Sequence, residues 1–154
     1  MFSASAEFYD LIYSTFKDYA GEAAQIASLL RRLNPHCQSV LDVACGTGEH
    51  ARLLAAHGFV VDGVDLDPAF VHIAKQKHPP GRFFEADMSD FHLSHRYDAV
   101  LWPPLQGPQN EHVERPLKKL QAPVVARLGH SRRKSTALDV GDLQLVQLVR
   151  SSEL

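Results

Sequence analysis

The sequence predicts an α/β domain built on an open, doubly wound parallel sheet, and three observations carry that prediction. Short, β-branched, mostly apolar runs recur at 39–44, 59–65, 82–87 and 97–102. Segments with apolar residues at helical spacing precede the first run and separate the first three. A glycine pair, Gly46-Thr47-Gly48, stands where the first run gives way to a helix. Strands alternating with helices of this length imply right-handed crossovers and a Rossmann-like sheet, whose ligands sit beyond the carboxyl ends of the strands.

Each element has its own signature. From Lys17 to Leu33, Ala23, Ile26, Ala27, Leu30 and Leu33 follow the spacing of an amphipathic helix, which Asn34-Pro35 ends. Ser39 to Ala44 reads as a buried strand with one acid, Asp42, inside it. Glu49 to His57 reads as a helix with Thr47 as its N-cap and Gly58 at the left-handed stop. Phe59 to Asp65 is the second strand, and Asp67-Pro68 supplies a cap and a first-turn proline for a helix over 69–77. Arg82 to Asp87 and Tyr97 to Trp102 are the third and fourth strands. Pro103-Pro104 and Gly107-Pro108 then open a loop, and Pro116 interrupts a possible helix over 111–120. Val124 to Leu128, Thr136 to Val140 and Leu143 to Val149 carry strand character, with a polar turn at 130–135, which predicts an antiparallel or irregular C-terminal segment.

Composition narrows the function. At 154 residues the chain predicts one domain, with a core over 1–102 and an atypical tail over 103–154. Sixteen Lys and Arg against eighteen Asp and Glu give a net charge of -2 without a basic block, so nucleic acid is not indicated as a partner. The apolar runs fall short of a membrane span, and residues 1–20 carry several polar and charged groups, which favours a cytoplasmic protein. Cys37 and Cys45 are too few for a disulfide framework or a zinc quartet. Nine histidines without paired ligand spacing predict no metal site.

The residues between the first two strands suggest a nucleoside pocket. Gly46 and Gly48 allow a tight turn and close approach of a ligand to the backbone. The helix N-terminus behind them favours an anionic group. Asp65 ends the second strand, where an acid accepts hydrogen bonds from ribose hydroxyls, and Asp87 followed by Met88 ends the third. Cys45 reads as a packing residue beside a tight turn. A nicotinamide dinucleotide and S-adenosylmethionine both fit. The dinucleotide pattern has Ala51 at its third glycine position, whereas Asp42 inside the strand and the amphipathic helix ahead of it favour the methyl donor.

These residues resemble the class I S-adenosylmethionine-dependent methyltransferases, whose first motif appears as Asp42-Val43-Ala44-Cys45-Gly46-Thr47-Gly48. The nearer likeness is to the amino-sugar N,N-dimethyltransferase branch. It rests on Tyr9 to Tyr13, Lys17-Asp18-Tyr19, the segment 41–50, Gly63 to Asp67 and Ala86 to Phe91, and covers about residues 7–102. The resemblance implies that backbone over Ala44, Cys45, Gly46 and Gly48 holds the methionine moiety. It places Asp65 on the ribose, Leu66 and Met88 on the adenine faces, Asp87 on the adenine amine, and Tyr9 and Tyr19 over the pocket. It further implies direct in-line methyl transfer to a small molecule, an amine such as an amino sugar; it assigns no general base.

Beyond Trp102 the family pattern of loop, helix, Pro-Gly-Gly turn and fifth strand is absent, although 125–134 with Leu138-Asp139 is similar to a segment that follows the fifth strand in the amino-sugar branch. An internal block and the C-terminal strand hairpin are expected to be missing, as in a truncated or frame-shifted gene product. A sheet so reduced exposes apolar edges, and self-association is expected. A cofactor-binding remnant without turnover and a nicotinamide-dependent oxidoreductase are the alternative readings.

Overall fold

The structure is a computed structural model and describes residues 15, 17–88, 90–102, 139–140 and 143–148. Helix α1 (Tyr19–Leu33) is followed by β1 (Ser39–Val43), α2 (Glu49–Ala56), β2 (Val60–Asp65), α3 (Pro68–Lys77), β3 (Phe83–Glu85) and β4 (Ala99–Trp102). Two further strands, β5 (Asp139–Val140) and β6 (Leu143–Leu148), complete a sheet of order β3-β2-β1-β4-β6-β5. β1 to β4 are parallel; β6 runs antiparallel to β4 and to β5. The expected doubly wound parallel sheet and its antiparallel C-terminal segment are both present. The expected absence of a terminal hairpin is corrected, because β5 and β6 pair beside β4. The segment 111–120 that Pro116 interrupts, the strand expected at 124–128 and the turn expected at 130–135 lie outside the described residues.

Strand alternation decides what each face buries. Val40 of β1, Val61 of β2 and Ala99 and Leu101 of β4 meet Ile26 and Leu30 of α1, Leu54 of α2 and Val71 and Ala74 of α3 in one cluster. Leu41, Val43, Val64 and Val100 face the other way, against Phe91 and Tyr97. All three described helices therefore cover one face. Asp42 shares the parity of Val40 and sits on that helical face, between Gly63 of β2 and Leu101 of β4 in register.

Local chemistry trims the predicted boundaries. α1 starts at Tyr19 rather than Lys17 because the Asp18 carboxylate accepts from the Gly21 N–H at 2.9 Å and caps the helix. β1 ends at Val43 because Ala44 adopts a left-handed φ of 56°. β4 starts two residues later than expected: Asp98 is turned to β1, its Oδ2 accepting from the N–H groups of Gln38 and Ser39 at 2.9 and 2.8 Å. β3 is shorter at both ends than predicted, with Arg82 drawn to Asp62. Gly58 takes φ 92° at the stop of α2, and Asp67 caps α3 by accepting from Ala69 N–H at 2.8 Å, both as predicted. Among the described residues no helix is long and apolar enough to cross a membrane.

Candidate functional site

β2 and β3 lie to one side of β1 and β4 to the other, so the strand order reverses between β1 and β4. Loops leaving the strands diverge at such a point and open a cleft beyond their carboxyl ends. The turn after β1 lines that cleft. Ala44, Gly46 and Gly48 have φ values of 56°, 55° and 75°. For Ala44 the left-handed region costs about 1 kcal/mol, a strain that packing around the turn has to maintain.

The two glycines do different things. A Cβ built on Gly46 meets no atom within 4 Å, so this backbone faces open space that a ligand can occupy. A Cβ on Gly48 would lie 3.0 Å from Ala74 Cβ and 3.2 Å from its Cα, so this glycine lets α2 approach α3. Gly48 is also the N-cap of α2 and makes no side-chain capping bond, which corrects the assignment of Thr47 to that role. The Thr47 hydroxyl is buried and accepts from Lys77 Nζ at 3.1 Å, while Lys77 also pairs with Glu49 at 3.2 Å. The end of α3 thereby clamps the start of α2.

Asp65, at the carboxyl end of β2, accepts from the Gly46 N–H at 2.8 Å through Oδ2 and from the Asp67 N–H at 2.9 Å through Oδ1. Each carboxylate oxygen has two acceptor lone pairs, so the same group can also receive ribose hydroxyls. Ala86 N–H donates to Asp65 O at 2.9 Å, which brings exposed Asp87 beside the end of β2. Leu66 is 67% exposed at the rim, and Met88 is half-buried against the second core cluster. Cys45 is buried, and its Sγ fills the space over Gly63, where a Cβ would come within 2.7 Å of it. Burial, with the Asp42 and Asp65 charges adding to it, pushes the Cys45 thiol far up, in keeping with a packing role. Tyr19 opens α1 with its ring edge-on to His50, centroids 5.0 Å apart. Tyr9 lies outside the described residues.

Asp42 is the functional candidate to which sequence reasoning gave no ligand role. It is 4% exposed, and its Oδ2 has no hydrogen-bond partner. Burial, reinforced by the Asp65 charge and opposed by Lys17, pushes the carboxyl up to about 7. A single acid within an apolar strand was the available signal.

A strained left-handed turn, an acid at the end of β2 with a second two residues past β3, and an unpartnered buried carboxylate at a switch point define a doubly wound α/β domain with a candidate ligand cleft. Residues 40–123 match the pattern of a methyltransferase domain, and the chain belongs to that family. Over 96 residues it is 45% identical to a dTDP-3-amino-3,6-dideoxy-alpha-D-glucopyranose N,N-dimethyltransferase of Streptomyces fradiae, covering 62% of this chain and 38% of that enzyme. A SAM-bound amino pentose methyltransferase from Micromonospora echinaspora is 35% identical with a TM-score of 0.57, over 60% of this chain and 39% of that one. A sugar N-methyltransferase from Streptoalloteichus sp. is 43% identical with a TM-score of 0.55, over 60% and 38%. The chain spans about two fifths of the length of the curated relatives it matches.

Proposed function

We propose that this chain binds S-adenosylmethionine at the switch point and serves methyl transfer to a small molecule, the amine of an amino sugar or a similar acceptor. The observation that carries the reading is Asp42. A buried carboxylate without a partner asks for a cation, and the methionine end of this cofactor brings an ammonium group. The remaining residues fit the rest of the molecule. The turn over Ala44–Gly48, open at Gly46, receives the methionine chain, Asp65 the ribose hydroxyls, Leu66 and Met88 the adenine faces, Asp87 the adenine amine, and Tyr19 with Tyr9 the approach from the N-terminal side.

When bound, S-adenosylmethionine supplies an electrophilic sulfonium methyl that an amine displaces in line. The chain's own part is positioning, which alone removes much of the barrier to a bimolecular displacement. Similarity to enzymes named as sugar N-methyltransferases supports an amine acceptor.

Titration calorimetry with S-adenosylmethionine and with NADH, followed by methyl-transfer assays on a panel of nucleotide-linked amino sugars and simple amines, tests the reading. Saturable binding of S-adenosylmethionine, none of NADH, and transfer to an amine are expected. Binding without transfer to any acceptor would reduce the chain to a cofactor-binding domain. Tight NADH binding with none of S-adenosylmethionine would establish the oxidoreductase reading instead.

A further inference from the structure

α1 and α2 meet through a buried polar contact that the cofactor cleft itself does not require. His50, in the first turn of α2, places Nε2 2.9 Å from Oε2 of Glu22, in the first turn of α1, and the two side chains are only 10% and 15% exposed. With the carboxylate accepting, the ring proton sits on Nε2. The same Glu22 oxygen lies 3.7 Å from Lys17 Nζ, and Lys17 Nζ lies 5.3 Å from the centroid of the Tyr19 ring. Tyr19 in turn stands edge-on to His50. Four side chains thus form a closed cycle joining the start of α1 to the residue two positions after Gly48.

An apolar pair would pack one helix on another at least as well, whereas a directional pair fixes how they are oriented. What this pair orients is Lys17 and Tyr19. Lys17 is the cation whose charge reaches Asp42, and an amino-acid zwitterion bound at Asp42 presents both an ammonium and a carboxylate. We propose that Glu22 and His50 are a positioning pair that holds Lys17 and Tyr19 beside the start of α2, two residues past Gly48, and so sets the affinity for the amino-acid half of the methyl donor. This rests on the cofactor reading above.

The test compares S-adenosylhomocysteine with 5′-methylthioadenosine, which shares the adenosine thioether but lacks the amino-acid group, by calorimetry on the full chain. Glu22→Ala, His50→Ala and the double variant are each expected to weaken S-adenosylhomocysteine about tenfold, a loss of about 1.4 kcal/mol. Methylthioadenosine is expected to change by less than about twofold in all three. The double variant should lose no more than either single one, as coupled partners do. Glu22→Gln keeps an acceptor for the His50 N–H but removes the charge facing Lys17, and is expected to lose less affinity than Glu22→Ala. His50→Phe keeps the ring against Tyr19 but not the hydrogen bond; it is expected to lose affinity as His50→Ala does, and it decides the matter should the alanine variants not fold. Equal losses on both ligands, additive losses, or wild-type affinity in His50→Phe would overturn the proposal while leaving the cofactor site standing. Wild-type protein that binds neither ligand would overturn both.

Discussion

Asp42 concentrates the electrostatic tension of the site in one residue. Its carboxyl is held near 7 against an ordinary value of 3.8, first by burial and then by the Asp65 charge. Because the folded-state value lies above the unfolded one, the protonated carboxyl favours the fold. That contribution is complete below about pH 4 and is lost as pH rises through about 7. Asp42→Asn removes the buried charge and is expected to raise stability above pH 7 by roughly 1–3 kcal/mol while weakening S-adenosylmethionine at least tenfold. Denaturant melts at pH 5 and pH 8 beside binding isotherms check both halves, and a variant that is less stable at pH 8 and binds normally would contradict them. Part of the candidate site was legible in the sequence: Gly46 and Asp65, singled out by type and spacing, meet through the Gly46 N–H. The unpartnered state of Asp42 was hidden because an acid in a strand reveals its lack of a partner only once the neighbouring strands are in place.

At the scale of elements, β1 and β4 are pinned at their starts by a single side chain. Asp98 Oδ2 accepts from Gln38 N–H, Ser39 N–H and Ser39 Oγ–H at 2.8–3.0 Å, and the Asp98 N–H donates back to Ser39 Oγ at 2.9 Å. Burial works to raise its carboxyl, but the hydrogen bonds from Ser39 and Gln38 outweigh that and hold it below the ordinary value. A depressed folded value contributes stability that is present above the unfolded value of 3.8 and is lost as pH falls through and below it. Asp98→Ala is expected to cost about 2 kcal/mol at pH 7 and to flatten the acid limb of the stability profile, measured by urea unfolding between pH 3 and pH 7. Equal urea midpoints for the two proteins at pH 7 would rule this out. Helix α3 shows how local chemistry becomes legible, since Asp67-Pro68 specifies its start without help from elsewhere. Helix α2 shows the opposite: Thr47 looks like a cap, but a tertiary partner, Lys77, takes its hydroxyl and leaves Gly48 at the cap position.

For the whole molecule, the periodic first hundred residues fix the order of strands and the face their helices cover, because each βαβ crossover has only one favourable hand. The C-terminal strands were legible as strands at 136–140 and 143–149 but not as neighbours of β4, since antiparallel pairing across some forty residues leaves no local trace. The sheet brings Asp42 of β1, Asp65 of β2 and the Gly46 turn together, and the role proposed for that site is to hold a methyl donor through its amino-acid cation. The most direct measurement is the affinity of wild-type protein and Asp42→Asn for S-adenosylhomocysteine at pH 6 and pH 8. With the Asp42 carboxyl titrating near 7, wild-type affinity is predicted to tighten about tenfold over that range with release of a proton. Asp42→Asn is predicted to bind weakly at both pH values. Affinity that is flat with pH in wild type and unchanged in Asp42→Asn would contradict that role of Asp42.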